Sequence, residues 1–184
     1  MLPPMKRATL LALCAAAVFA ADPAVIPGTE LAKKWKRTKS LVSPVEKLRK
    51  GLEVEVDGAA PKPVEVKVDA DTQASFSNIQ FQLDSAELMA GITQAQLAEI
   101  ANGMKAAGTE SFLIEGHTCD LGDGEHNLML SQNRALAVKM ALADLGVPRE
   151  RLQVIGFGES EPVVVNTDEA ARSQNRRVQI YRKL

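Results

Sequence analysis

Gly116-His117-Thr118-Cys119-Asp120, continued by Asn127-x-x-Leu130-Ser131-x-x-Arg134-Ala135, is the stretch whose reading decides the fold. Just before it, Phe112-Leu113-Ile114 is a short apolar run, which predicts a buried strand. Just after it, Ala135, Val138, Leu142 and Leu145 recur at spacings of three and four, which predicts a long helix closed by Gly146 before Pro148. Residues 116–127 therefore form a strand-to-helix loop, and Gly122 and Gly124 let it fold tightly. A helix starting near Asn127 presents unpaired backbone N–H groups, a ready site for an anion. Arg134, about two turns further on, adds a fork-shaped donor suited to a carboxylate. Asp120 and Asp123 offer acceptors for an ammonium. Residue chemistry alone thus points to a site for a carboxylate or a zwitterion.

Working outward, Ile79, Phe81 and Leu83 alternate with polar residues and predict a strand. Thr93-x-x-Gln96 has the form of a capping box, opening a helix that carries Leu97, Ile100, Ala101 and Met104 and closes at Gly108. Leu152 to Ile155 predicts a third strand. Val178 and Ile180 predict a fourth, starting near Arg176, after a short helical turn. The order strand, helix, strand, helix, strand, turn, strand implies a two-layer α/β sandwich. Upstream, Leu52 to Val56 and Val64 to Val68 alternate around Asp57-Gly58 and Pro61-x-Pro63, which predicts a hairpin or two edge segments.

Four pieces in this order carry a family resemblance: Gly116-His117-Thr118, Asn127-x-x-Leu130-Ser131-x-x-Arg134-Ala135, Gly156-x-Gly158-Glu159-x-x-Pro162 and Arg172-x-x-Asn175-Arg176-Arg177-Val178. The stretch from about Phe76 to Leu184 resembles the OmpA-like domain of bacterial envelope proteins. The resemblance implies a β-α-β-α-β-β fold with a mixed four-stranded sheet, its last strand antiparallel to the others. It also implies non-covalent binding of peptidoglycan through the diaminopimelate-containing peptide stem, without catalysis or cofactor. Carried over by motif, Arg134 matches the helix arginine, Asn127 the loop asparagine, and Asn175, Arg176 and Arg177 the closing motif. Asp84 matches a polar or acidic residue after the first strand. Thr118, Cys119 and Asp120 complete the expected ligand-binding set. Strand alternation sends Arg176 and Arg177 to opposite faces, so one of the two is structural. His117 is expected to brace the loop.

One position departs from the family pattern. The usual Gly-His-Thr-Asp reads Gly116-His117-Thr118-Cys119-Asp120, and the loop length to Asn127 is unchanged. Cys119 thus stands at the aspartate position, and an uncharged thiol is a weak hydrogen-bond partner. Either Asp120 turns in to take the role, the reading the loop glycines favour, or ammonium recognition is weaker or differently aimed. His117, Cys119, Asp120, Asp123 and His126 superficially resemble a metal cluster, but their spacing fits no zinc pattern. Gly156-x-Gly158 lacks the helix that a nucleotide loop requires.

The other end of the chain speaks to compartment. Lys6 and Arg7 precede the apolar run Ala8 to Phe19, and Val18-Phe19-Ala20 suits a signal peptidase. The expectation is a secretory signal peptide over residues 1–20, a run too short to span a membrane. Cys14 is alternatively a lipidation site of a peptidoglycan-associated outer-membrane lipoprotein, although Leu13 is bulky for that motif. Cleavage after Ala20 leaves Cys119 as the one cysteine, so no internal disulfide is expected. It removes two of the 22 bases and none of the 23 acids, leaving 20 against 23, a net charge of −3. Residues 21–51 hold eight bases and three acids, and the remainder 12 against 20. Such asymmetry suits a basic, partly extended arm near anionic envelope polymers rather than nucleic acid. The expected organisation is thus a signal peptide (1–20), a basic arm and linker (21–75) and a binding domain (76–184). The protein is placed in the periplasm or at the periplasmic face of the outer membrane, with peptidoglycan and other envelope proteins as partners.

Overall fold

The computed structural model describes residues 24–36, 46–53 and 62–184. The expected signal peptide, Cys14 and the turn at Asp57-Gly58 lie outside the described residues. Among the described residues, five strands form one mixed sheet: β1 (Glu46–Glu53), β2 (Lys62–Phe76), β3 (Phe112–Gly116), β4 (Leu152–Gly156) and β5 (Val178–Lys183). Four α-helices accompany them among the same residues: α1 (Gly28–Trp35), α2 (Ile92–Ala106), α3 (Gly124–Asp144) and α4 (Glu169–Asn175). The strand order is β1-β2-β5-β3-β4, and a pairing of Leu52 with Gly156 closes the sheet into a barrel. β3 and β4 run parallel, while β5 is antiparallel to both β2 and β3. The expected element order from the first long helix onward is present, and so is the antiparallel last strand.

Two departures lie upstream. The strand expected around Ile79, Phe81 and Leu83 ends earlier, at Phe76. Beyond it only an isolated bridge pairs Phe81 with Leu88, and Leu83 is 98% exposed. Alternation persists there, but no neighbouring strand is in reach to complete a ladder. The second departure is the basic segment. Part of it is helix α1, and part is β1, which pairs along β2 from Glu46 and so begins six residues before the hairpin arm expected at Leu52 to Val56. α1 buries Leu31, Ala32 and Trp35, a one-turn apolar stripe too short to stand out as a period.

α1 lies on α2 because Gly103 makes room: a Cβ there would stand 2.8 Å from Leu31 Cβ. Trp35 packs edge-on against Phe112, with ring centroids 5.1 Å apart, and its indole N–H donates to the Thr72 carbonyl at 3.1 Å. Burying a large apolar side chain stabilises by roughly 1.5–3 kcal/mol. Thr93 and Gln96 do not form a capping box. Gly91 is the N-cap, and the Gln96 side chain instead bonds both backbone groups of Ile26, at 2.8 and 3.1 Å. That residue ties the N-terminal segment to the domain.

The sheet has two buried faces. Toward the helices lie Phe76, Phe112, Ile114, Val154, Val178 and Ile180, packed on Leu97, Ile100, Met104, Val138 and Leu142. The opposite face gathers Val66, Val68, Leu113, Ile155, Phe157 and Tyr181 into a smaller core. Every residue of β3 is therefore buried, as its unbroken apolar run predicts.

Candidate functional site

α3 seats on the ends of β3 and β4 because two glycines vacate the contact. A Cβ on Gly116 would lie 2.1 Å from the Ser131 carbonyl oxygen, and one on Gly156 2.3 Å from Gln132 Cγ. The Ser131 hydroxyl donates to the Leu128 carbonyl at 2.7 Å and accepts from Gly158 N–H at 2.8 Å. These contacts give the spaced Gly, Ser and Gly residues of the motif a common cause: they fix α3 against the loop after β4. Arg134 is thereby projected from a rigid element.

Arg134 forms one wall of a cleft of about 250 Å³, with Phe81, Met89, His117 and Arg176 among its other lining residues. Its Nε donates to the Ser85 carbonyl at 2.9 Å, and its guanidinium lies over the Phe81 ring, 5.0 Å from the centroid. Both terminal nitrogens are left without a protein hydrogen bond among the described residues. Burial first, and then the neighbouring charge of Arg176, lower the Arg134 pKa from its ordinary value. The 77–89 segment that failed to become a strand is thus the other wall of the cleft. Phe81 and Ser85, which orient the key arginine, carry no sequence signal beyond the alternation misread there.

Three arginines line the cleft, and they differ. Arg176 donates to Cys119 Sγ at 3.6 Å and pairs with Glu169. Arg177 is buried, and donates to the Asn175 and Glu161 carbonyls at 3.3 and 3.1 Å. Arg177 is thus the more enclosed of the pair, held by backbone carbonyls. Asn175 braces the preceding loop, accepting from Val163 N–H at 2.9 Å and donating to the Val164 carbonyl at 2.8 Å.

The loop residues are arranged otherwise than expected. Asp120 does not turn in: it is exposed and bonds Arg172 Nε at 2.9 Å. Cys119 is buried beside Arg176. Thr118 is buried, and its N–H donates to the Gly158 carbonyl at 2.8 Å. Asn127 lies in the first turn of α3. Its side-chain amide donates to the Leu121 carbonyl at 3.0 Å and to Glu159 at 2.7 Å, which closes the loop. The cap is Asp123, which accepts from Glu125 and His126 N–H and so fills the helix N-terminus expected to hold an anion. Asp84, at a positive φ of 49°, bonds His126 at 2.6 Å at the mouth of the site. His117 ties the loop through its backbone, its N–H donating to the Arg177 carbonyl at 3.1 Å; its ring makes no hydrogen bond of normal length, Nε2 lying 3.6 Å from Glu115, and stacks on Phe157 with centroids 5.4 Å apart. Burial, the largest influence, lowers its pKa from 6.5 and keeps it neutral.

A second cluster of charge, on the other side of the sheet, had no expectation attached to it. Arg49 of β1 grips the fully buried Glu115 with two bonds of 2.5 and 2.8 Å and reaches Glu161 at 2.8 Å. Its guanidinium also lies over Phe157, 4.3 Å from the ring centroid. A clue was present: Glu115 ends an otherwise apolar buried run.

Comparison with known proteins bears on the whole arrangement. Residues 80–176 match the OmpA family. A peptidoglycan-associated lipoprotein of Haemophilus influenzae is 37% identical over 108 residues, covering 59% of this chain and 70% of that protein. The outer-membrane lipoprotein YfiB of Pseudomonas aeruginosa is 39% identical over 84 residues, covering 46% and 50%. The crystal structure of the peptidoglycan-associated lipoprotein from Burkholderia pseudomallei superposes with a TM-score of 0.53 at 35% identity, covering 59% of this chain and 88% of that one. These relatives bear the names of binding or structural envelope proteins, not of enzymes.

Proposed function

The chain belongs to the OmpA family, and on that footing we propose that it is a non-catalytic protein of the cell envelope that binds peptidoglycan. It grips the peptide stem in the arginine-lined cleft and tethers envelope components to the wall from the periplasmic side. The observation that carries this reading is Arg134: a half-buried guanidinium on the wall of an open cleft, mounted on α3, whose two terminal nitrogens have no hydrogen-bond partner among the described residues. Such a fork matches a carboxylate in geometry and charge. The exposed bases Lys33 and Lys34 of α1 and Lys36 just beyond it offer a further contact for anionic envelope polymers. Retention on purified sacculi tests the reading. The wild type is expected to be retained and Arg134→Ala to wash off with its circular-dichroism spectrum intact. Equal retention of both overturns it.

A lipid-anchored form is the second reading, favoured by the lipoprotein names of the relatives. Intact mass of the processed protein separates the two. A chain starting near Ala21 supports a free periplasmic protein, and an acylated Cys14 as first residue supports the anchor.

A further inference from the structure

Building on the peptidoglycan reading, we propose that the cleft recognises its ligand through a carboxylate alone and makes no use of the amine carried on the same residue. Among the described residues that line it are three arginines and no aspartate or glutamate. An ammonium entering there would meet like charge on Arg134 and Arg176 with no counter-charge on the wall.

The nearby carboxylates are each engaged by another cation or donor. Asp120 is bonded to Arg172, Glu169 to Arg176, Asp84 to His126, and Glu159 to the Asn127 amide. Taking up an ammonium would mean breaking one of these pairs and moving a carboxylate inward. At position 119, where the loop offers its side chain to the cleft-lining Arg176, stands a thiol, which brings no full charge at rest. His117 adds none either, because it is held neutral by burial among arginines.

What remains is a donor surface. Arg134 presents its two free terminal nitrogens in one plane, and that plane is fixed by the Ser85 carbonyl on its Nε and the Phe81 ring against its face. A fixed fork holding a carboxylate by two parallel bonds needs no second anchor for orientation. The chemical class that fits is a peptide side chain ending in a carboxylate, whether its amine is free, acylated or absent. Cys119 is the position that sets this tolerance.

The experiment is calorimetric titration of the full mature protein with three synthetic stem tripeptides ending in diaminopimelate. One is unmodified, one is acetylated on the side-chain amine, and one is amidated on the side-chain carboxyl. Acetylation is expected to change Kd by less than about threefold, and amidation to weaken binding by about tenfold or more, as for loss of a charged hydrogen bond. In Cys119→Asp, which adds a carboxylate beside Arg176, acetylation is expected to become costly by about tenfold. A wild type that loses about tenfold or more on acetylation overturns the inference and leaves peptidoglycan binding in place. So does a wild type indifferent to amidation. If no tripeptide binds and sacculi are not retained, the functional reading falls and this inference with it.

Discussion

Arg49 and Arg134 are the same side chain in opposite states, and the contrast separates what holds this protein together from what it offers to a ligand. Arg49 is buried and saturated: Glu115 takes two of its nitrogens, Glu161 a third, and Phe157 covers its face. Arg134 is half-buried and anchored through one nitrogen only, beside a second arginine, with Asp84, itself bonded to His126, as a neighbouring opposite charge. A balanced buried cluster has nothing left to bind. An unbalanced one on the wall of a cleft does.

The largest effect is expected at the saturated site. Arg49→Ala strands Glu115 as an uncompensated buried charge, which costs roughly 3–5 kcal/mol. Urea or thermal melts measure this, and a variant as stable as wild type would break the comparison. Replacing the pair together, Arg49→Met with Glu115→Leu, is expected to recover much of the loss, since no buried charge is then left alone.

Arg134→Ala comes next, and its effect falls on binding instead of folding. Losing hydrogen bonds to a charged ligand costs about 1.5–3 kcal/mol, read as weaker sacculus retention or stem-peptide affinity. A large drop in melting temperature would instead class Arg134 with Arg49.

His117 lies between the two sites and sharpens the line between them. Its folded pKa is depressed below 6.5 by burial, while the unfolded chain titrates at the ordinary value. Below that value the unfolded state binds the proton that the folded state refuses. Stability therefore falls as pH drops from about 6.5 toward the folded pKa. Melts of wild type against His117→Gln across pH 7 to 5 test this, and the variant is expected to show the shallower decline. Equal slopes would mean that another group carries the acid sensitivity.

The smallest effect is expected at Asp120→Asn. Its partner Arg172 is at the surface, and exposed ion pairs contribute little. Both melting and stem-peptide binding should match wild type. A clear loss of affinity would show that the side chain swings inward when the ligand arrives.

Much of the fold could be read locally. Phe112-Leu113-Ile114, the three-and-four spacing from Ala135 to Leu142, and Gly146 before Pro148 each describe an element whose stability follows from its own pattern of burial. The reading failed where a residue's partner is distant in sequence. Thr93 and Gln96 have the spacing of a capping box, yet Gln96 is occupied by Ile26, 70 positions away. Residues 79–83 alternate like a strand, but alternation says which faces a segment has, not whether a neighbour is there to pair with it. The glycines around Asp120 permit an inward turn, and Arg172 draws it outward.

The sequence by itself determined the order of helices and strands from α2 onward and the family to which the motifs belong. These rest on periodicity and fixed spacing, which are local properties. Only the tertiary structure decided that β1 closes the sheet over a second core, that Arg177 is buried while Arg134 is only half-buried, and that no carboxylate among the described residues lines the cleft. Each of those depends on which charges and backbone groups from distant segments meet, and pairing over such distances leaves no period in the chain.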